Sequence, residues 1–244
     1  MSTANDYTPL LNKWMAMLLA TVPAPKSVKM NGGYCYRFVE KSCQQAIVQK
    51  LARITSGLNA IYLLNRHGFL QEQATLQRTL DEFVEDVEFL ALGILNNDIT
   101  TLHSNFLEGF YDEISEQPWD KSKFLKGRNM PTRKKIRAYL AESTKEIHDK
   151  NTAINAAAAI SHTYSGYVHG YASQIMEMYL SNPPGFLTNG MLSSPLCRDH
   201  TDDLNNYLLR AVYAVAFAAK ALNHETVFNE AYKEAKKLEQ TTLR

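Results

Sequence analysis

Apolar residues recur every three or four positions through most of this chain, the period of a helix that buries one face. Near the start, Leu10, Leu11, Trp14, Met15, Leu18 and Leu19 form such a stripe, with Thr8 placed as N-cap and Pro9 at the first helical position. The run from Val22 to Gly33, VPAPKSVKMNGG, breaks the pattern. Residues 1–33 therefore read as an N-terminal helix and linker, free to pack on the main body or on a protein partner, and 34–244 as a single helical-bundle domain. A long helix is expected from about Tyr36 to Asn65, stopped by Arg66, His67 and Gly68. Glu72 opens the next, with Leu76, Leu80, Phe83, Val87, Leu90 and Ile94 as a bundle seam. Only His67, Gly68 and Phe69 connect the two, which predicts antiparallel neighbours.

From Asn151 to Met176 there is no Asp, Glu, Lys or Arg. Such a stretch predicts a central buried helix over about 152–180, with Ile160, Tyr164, Tyr167, Val168, Tyr171 and Ile175 on one broad face. Ala158, His162, Ser165, Gly166, His169, Gly170 and Ser173 fall on the other, turned toward a close neighbour. The following 181–200, SNPPGFLTNGMLSSPLCRDH, reads as a long loop whose apolar residues pack across the bundle mouth or into a dimer contact. Thr201 or Asp202 then starts another nearly uncharged, deeply buried helix, and an amphipathic one follows His224 and Glu225. Alternating strand patterns and hairpin turns are nearly absent, so the expected class is all-α, an antiparallel helical bundle.

Composition adds bounds. At 244 residues and 45% hydrophobic content the chain can bury one large core, and its net charge of +1 steers it to neither nucleic acid nor membrane. Cys35, Cys43 and Cys197 are odd in number and widely spaced, as free thiols in a reducing compartment would be. The start, MSTANDYTPLL, lacks a basic region ahead of an apolar one, and the uncharged stretch is too polar to span a bilayer. The expected location is cytoplasmic, away from membranes.

Charge is unevenly distributed. Thr79 to Asp120 holds eleven acidic residues and no Lys or Arg, whereas Pro118 to Arg137 holds eight basic residues against Asp120 alone. Lys121, Lys123, Lys126, Arg128, Arg133, Lys134 and Lys135, with Trp119 and Phe124 among them, could track a phosphate backbone. Equally, the neighbouring acidic helices could neutralise them, or the run could be a solvated loop.

Candidate chemistry centres on two helices. His162, Ser165 and His169 share a face of one; Arg78 and Glu82 lie four apart on another, away from its leucine seam, with Glu85 close by. If those faces meet, imidazoles, carboxylates and a guanidinium share a partly buried pocket suited to acid and base work. The structural alternative is an ordinary surface ion pair, with histidines bonded to backbone carbonyls. Metal sites lack support: Cys197 and His200 have no second pair, and the Glu-x-x-His pattern of di-iron bundles does not occur. Gly-rich nucleotide-binding loops are absent too, so no cofactor is expected.

RTLDEFVED, Arg78 to Asp86, together with YSGYVHGYA, Tyr164 to Ala172, resembles a widespread, functionally uncharacterised family of bacterial helical proteins. Its hallmarks are Arg-x-x-x-Glu on one long helix and Ser-x-x-x-His-Gly on a later one, and the resemblance covers roughly Tyr36 to Leu222. That family is similar in turn to the HEPN-like bundles, many of them toxins or phage-defence ribonucleases that dimerise to build the active site. The resemblance implies His169, Arg78, Glu82, Ser165 and His162 as catalytic residues, a homodimer, and RNA or a nucleotide as substrate. The ribonuclease signature of that superfamily is an Arg followed four to six residues later by His on one helix. This chain has no such pair, so either Arg78 supplies the charge from a different helix or the nuclease activity is absent.

Three readings follow. One is a metal-independent, HEPN-like ribonuclease; another is a noncatalytic binding or scaffold protein with a structural polar cluster, meeting partners through the N-terminal helix or loop 181–200. The third is a sensor with an aromatic-lined pocket at Tyr164, Tyr167 and Tyr171.

Overall fold

A computed structural model describes residues 4–30, 32–112, 129–144 and 149–242. Helix α1 spans Ala4–Leu19, a hairpin of β1 (Lys26–Met30) and β2 (Gly33–Arg37) follows, and then come α2 (Cys43–Arg66), α3 (Leu70–Leu95) and α4 (Thr101–Tyr111). After these lie α5 (Arg133–Ser143), α6 (Lys150–His169), the short α7 (Ala172–Met176), a second hairpin of β3 (Tyr179–Ser181) and β4 (Pro184–Phe186), α8 (Leu196–Ala221) and α9 (Glu225–Thr242). The chain is an all-α bundle carrying two small antiparallel hairpins.

The bundle is built on α2, α3 and α8, each packed against the other two. Helix α2 starts on a capping box: Ser42 Oγ accepts from the Gln45 N–H at 3.2 Å, and Gln45 Oε1 accepts from the Ser42 N–H at 3.3 Å. It ends at a turn through Gly68, whose φ of +75° suits a residue without a side chain. The Gly68 carbonyl accepts from the Met191 N–H at 2.7 Å, so the segment before α8 is tied to this end of the bundle with Met191 buried. The expected loop 181–200 is thus only partly a loop: it holds the second hairpin and the first turn of α8, and while Met191 is buried, Phe186 and Leu192 are exposed.

Helix α8 is the deep one. Leu204, Leu208, Ala211, Val212, Ala214, Val215, Ala218 and Ala219 are all buried, because this helix is apolar on nearly every side. It starts at Leu196, a turn earlier than its sequence start signal, with no side-chain cap. Helix α1 joins the same core through Tyr7, Leu11, Trp14 and Leu18. It is fixed at its far side by Trp14 Nε1 donating to Glu230 at 2.8 Å on α9.

Three expectations need correction. The segment Lys26–Arg37 is a hairpin rather than a linker, and α2 begins at Cys43 instead of Tyr36. Its residues do alternate: Val28 and Cys35 pair on one face, Lys29 and Tyr34 on the other. The helix expected to be central and buried over about 152–180 is peripheral: α6 stops at His169, where Gly170 takes φ +61°, and most of its residues are exposed. Asn, Thr, Ser, His and Ala are small and tolerate water without formal charge, so a charge-free helix does not have to be buried. Among the described residues no helix is long and apolar enough to cross a membrane.

Candidate functional site

Helix α3 carries its leucine seam inward toward α2 and its acids toward α5, α6 and α8. Gln73, Gln77, Asp81, Glu85 and Glu88 recur at spacings of three and four, which sets them along one line of the helix. Carboxylates brought out of water need counter-charges, and the neighbours supply them. Asp86, fully buried, is held by Lys50 of α2 at 2.7 Å and by Arg133 of α5 at 2.7 Å. Arg133 also approaches Glu85 at 3.6 Å and donates to the Glu82 carbonyl at 3.2 Å, while Arg137 Nε donates to Glu85 at 2.7 Å. Burial works against the Arg133 charge, but Asp86 and the neighbouring carboxylates more than offset it and hold its pKa above the usual value. Asp81 is gripped from α8, by the Tyr207 hydroxyl at 3.1 Å and by the Arg210 guanidinium. Burial pushes its carboxyl up and Arg210 opposes the push.

Beside this network lies a cleft of about 240 Å³. Asp81, Val84, Glu85 and Glu88 of α3 form one wall; Arg137, Leu140 and Ala141 of α5, Ile154, Ala157 and Ile160 of α6, and Arg210 of α8 complete it. The cleft is thus charged on one side and aliphatic on the other. Two groups in it stand apart. Glu88 has no hydrogen bond or ion pair among the described residues, and burial raises its carboxyl to about 7, with Arg210 pulling it down and Glu85 adding to the rise. Arg137 Nη2 is buried without a hydrogen-bond partner there.

The sequence-derived constellation divides. Arg78 and Glu82 do pair, at 2.8 Å, and Ser165 Oγ donates to the Ser161 carbonyl at 2.8 Å. His162 and His169, however, are exposed; His169 stacks on Tyr171 at 5.8 Å, and among the described residues no contact links either imidazole to Arg78 or Glu82. The face of α6 that meets α3 carries Ile154, Ala157, Ser161 and Tyr164, not the small polar face first expected. The reason lies in the side chains. Tyr164 buries most of its ring, and its hydroxyl donates to Asp203 at 2.7 Å, which turns the histidines outward.

The tyrosine pocket is not assembled either. Tyr167 bonds Glu177 at 3.3 Å, and Tyr171 lies 51% exposed. Within the basic run, Arg133 faces the acids of α3 instead of solvent, Lys134 and Lys135 are exposed, and Lys121, Lys123, Lys126 and Arg128 fall outside the described residues. Cys197 and His200 share the first turn of α8; no group of three or more metal-binding side chains occurs among the described residues.

Sequence reasoning missed Lys50, Asp81, Glu88 and Arg210, and took Arg137 only as the end of the basic run. The signal was present for one of them: Arg210 is the lone charge in the apolar stretch 204–219, and a lone buried charge requires a partner. Comparison with protein families, with curated proteins and with solved structures returned no match to this chain.

Proposed function

We propose that this chain is a noncatalytic helical binding protein whose site is the cleft between α3, α5, α6 and α8, and whose ion-pair network holds the walls of that cleft in register. The observation that carries the reading is a cleft in which an aliphatic wall faces a charged one, with a Glu88 carboxyl that has no hydrogen bond or ion pair among the described residues. A few polar groups beside an apolar wall are what fix the orientation of a small ligand in such a cleft. What speaks against the ribonuclease reading is that His162 and His169 are exposed and have no contact with Arg78 or Glu82 among the described residues, so no imidazole, carboxylate and guanidinium share a pocket.

The test sets the two readings against each other. Purified protein and its His169→Ala variant are incubated with a mixed RNA substrate, and both are screened by thermal denaturation against small metabolites. The binding reading expects no RNA cleavage above background and a ligand-dependent rise in Tm, equal in both proteins. Cleavage that disappears in His169→Ala would overturn it.

A further inference from the structure

The first hairpin presents a surface that the bundle does not use. A two-stranded ribbon is marginal in water by itself, and this one hides only one of its faces, where Val28 and Cys35, paired across the strands, are half-buried. Alternation sets Ser27 and Lys29 of β1 and Tyr34 and Tyr36 of β2 on the other face, with Ser27 opposite Tyr36 and Lys29 opposite Tyr34. Tyr34 is 78% and Tyr36 74% exposed, and no other large hydrophobic side chain among the described residues exceeds 60%. The charge around the two rings is one-sided. Residues 26–41 hold the cations Lys26, Lys29, Arg37 and Lys41 against Glu40 alone, in a chain whose net charge is only +1. Glu40 already accepts from Gln45 Nε2 at 2.6 Å, whereas Lys26, Lys29 and Lys41 are exposed.

We propose that this face of the hairpin binds single-stranded nucleic acid, one base on each of Tyr34 and Tyr36 and the adjoining phosphates on Lys29, Lys26 and Lys41. Two features favour that partner. The face formed by Ser27, Lys29 and the two rings has no aliphatic side chain for a second copy or an apolar protein partner to bury, and lysine is depleted at the centre of protein interfaces. Aromatic rings set among cations are instead what a single strand requires, since every base has a face to stack and every phosphate a charge to neutralise. Spacing selects the single strand over the duplex. Residues two apart on a strand lie about 7 Å apart, about twice the rise of about 3.4 Å per nucleotide in a stacked strand. Each ring therefore takes one base of a strand drawn out of its stack, and a duplex keeps its bases paired inward. Contacts of this kind read charge and stacking rather than sequence. The surface shares no residue with the cleft between α3, α5, α6 and α8, so it stands or falls independently of the binding proposed there.

Fluorescence anisotropy of the full chain with labelled oligouridylate and oligothymidylate of about a dozen nucleotides tests this. Binding to at least one of them is expected at low salt, with the logarithm of the affinity falling by about 2 per decade of salt, three phosphates at about 0.7 each. Tyr34→Ala and Tyr36→Ala should each weaken it at least about fivefold, while Tyr34→Phe and Tyr36→Phe, which keep the ring, stay within about twofold of the parent. Lys29→Gln should lower the salt slope by about 0.7. An abasic strand of the same length should respond to Lys29→Gln and not to either Tyr→Ala change. All three positions are exposed, so the far-ultraviolet dichroism stays unchanged. No binding to either strand at low salt, a duplex bound as tightly as the single strands, or Tyr→Ala variants that bind as the parent does would each overturn the proposal. So would sedimentation with phosphatidylserine vesicles, or self-association, that is lost in Tyr34→Ala while oligonucleotide binding is not, since the face would then belong to a lipid surface or to a second copy.

Discussion

Burial raises the Glu88 carboxyl from 4.5 to about 7, so between those pH values the unfolded chain gives up a proton that the folded chain keeps. Stability contributed by this group is therefore complete below pH 4.5 and falls as the pH rises toward 7, by about 2 kcal/mol for a partly buried side chain. Glu88→Gln removes that slope. In urea denaturation the variant should match the parent at pH 4 and exceed it by about 2 kcal/mol at pH 8; a variant less stable than the parent at pH 8 would mean that Glu88 has a stabilising partner. His103 shows the opposite arrangement. Its Nδ1 accepts from the Thr100 N–H at 3.1 Å and its Nε2 donates to the Phe89 carbonyl at 3.2 Å, with the ring stacked on Phe89 at 4.0 Å. Burial lowers its pKa, and the neutral ring serves as the third residue of the α4 capping box. Gly93 is glycine because any Cβ there would collide with that ring. Both nitrogens are satisfied, so His103 is structural, whereas Glu88 has no hydrogen bond or ion pair among the described residues.

At the scale of elements, α3 is the hub and α5 is docked to it by charge. Only Ile136, Arg137 and Ala141 of α5 are buried, too little apolar surface to hold eleven residues in place without the Arg133 and Arg137 pairs. Buried pairs of this kind add little net stability but punish the loss of one partner, since the other is left charged and dry. Asp86→Ala should therefore cost about 3–5 kcal/mol in chemical denaturation, because Lys50, itself buried over the Phe83 ring at 4.7 Å, loses its counter-ion. Replacing both, as Lys50→Met with Asp86→Leu, should restore most of that loss; if the double variant is as unstable as the single one, the pair does more than neutralise. The two uncharged helices show what a sequence can and cannot reveal at this scale. Helix α8 places Leu204, Leu208, Val212 and Val215 on one seam, and it is buried as expected. Helix α6 has only Ile154 and Ile160 as large apolar residues before Tyr164, and it lies at the surface with Ile160 41% exposed. Both hold a long stretch nearly free of charge, 151–169 in α6 and 204–219 in α8, where Arg210 stands alone; the count of large apolar side chains per turn separated them. The first hairpin was missed because its alternation of Lys, Val, Tyr and Cys is short and its turn follows a proline-rich run.

For the whole molecule, the architecture was legible because the 3.6-residue period and the short connection at Gly68 leave few ways to pair α2 with α3. The antiparallel bundle follows from those features, and the acidic α3 beside a basic α5 follows from the uneven charge. The cleft was not legible, since it depends on which face of α6 turns inward, and hydrophobic periodicity in an alanine-rich helix specifies that weakly. A rotation of α6 by about one residue decides whether imidazoles or isoleucines face the acids of α3. With Ile154 and Ala157 turned toward α3, the cleft has an aliphatic wall opposite a charged one, and the proposed binding rests on that contrast.

The most direct measurement is methyl-group NMR of isoleucine-labelled protein during titration with a pool of aliphatic amino acids, amines and carboxylates of up to about a dozen heavy atoms. Ile154 and Ile160 should shift saturably with at least one member of the pool, while Ile47 and Ile61, buried in the α2 core, stay in place. Shifts confined to residues elsewhere, or no saturable shift at Ile154 and Ile160 with any compound, would contradict the account.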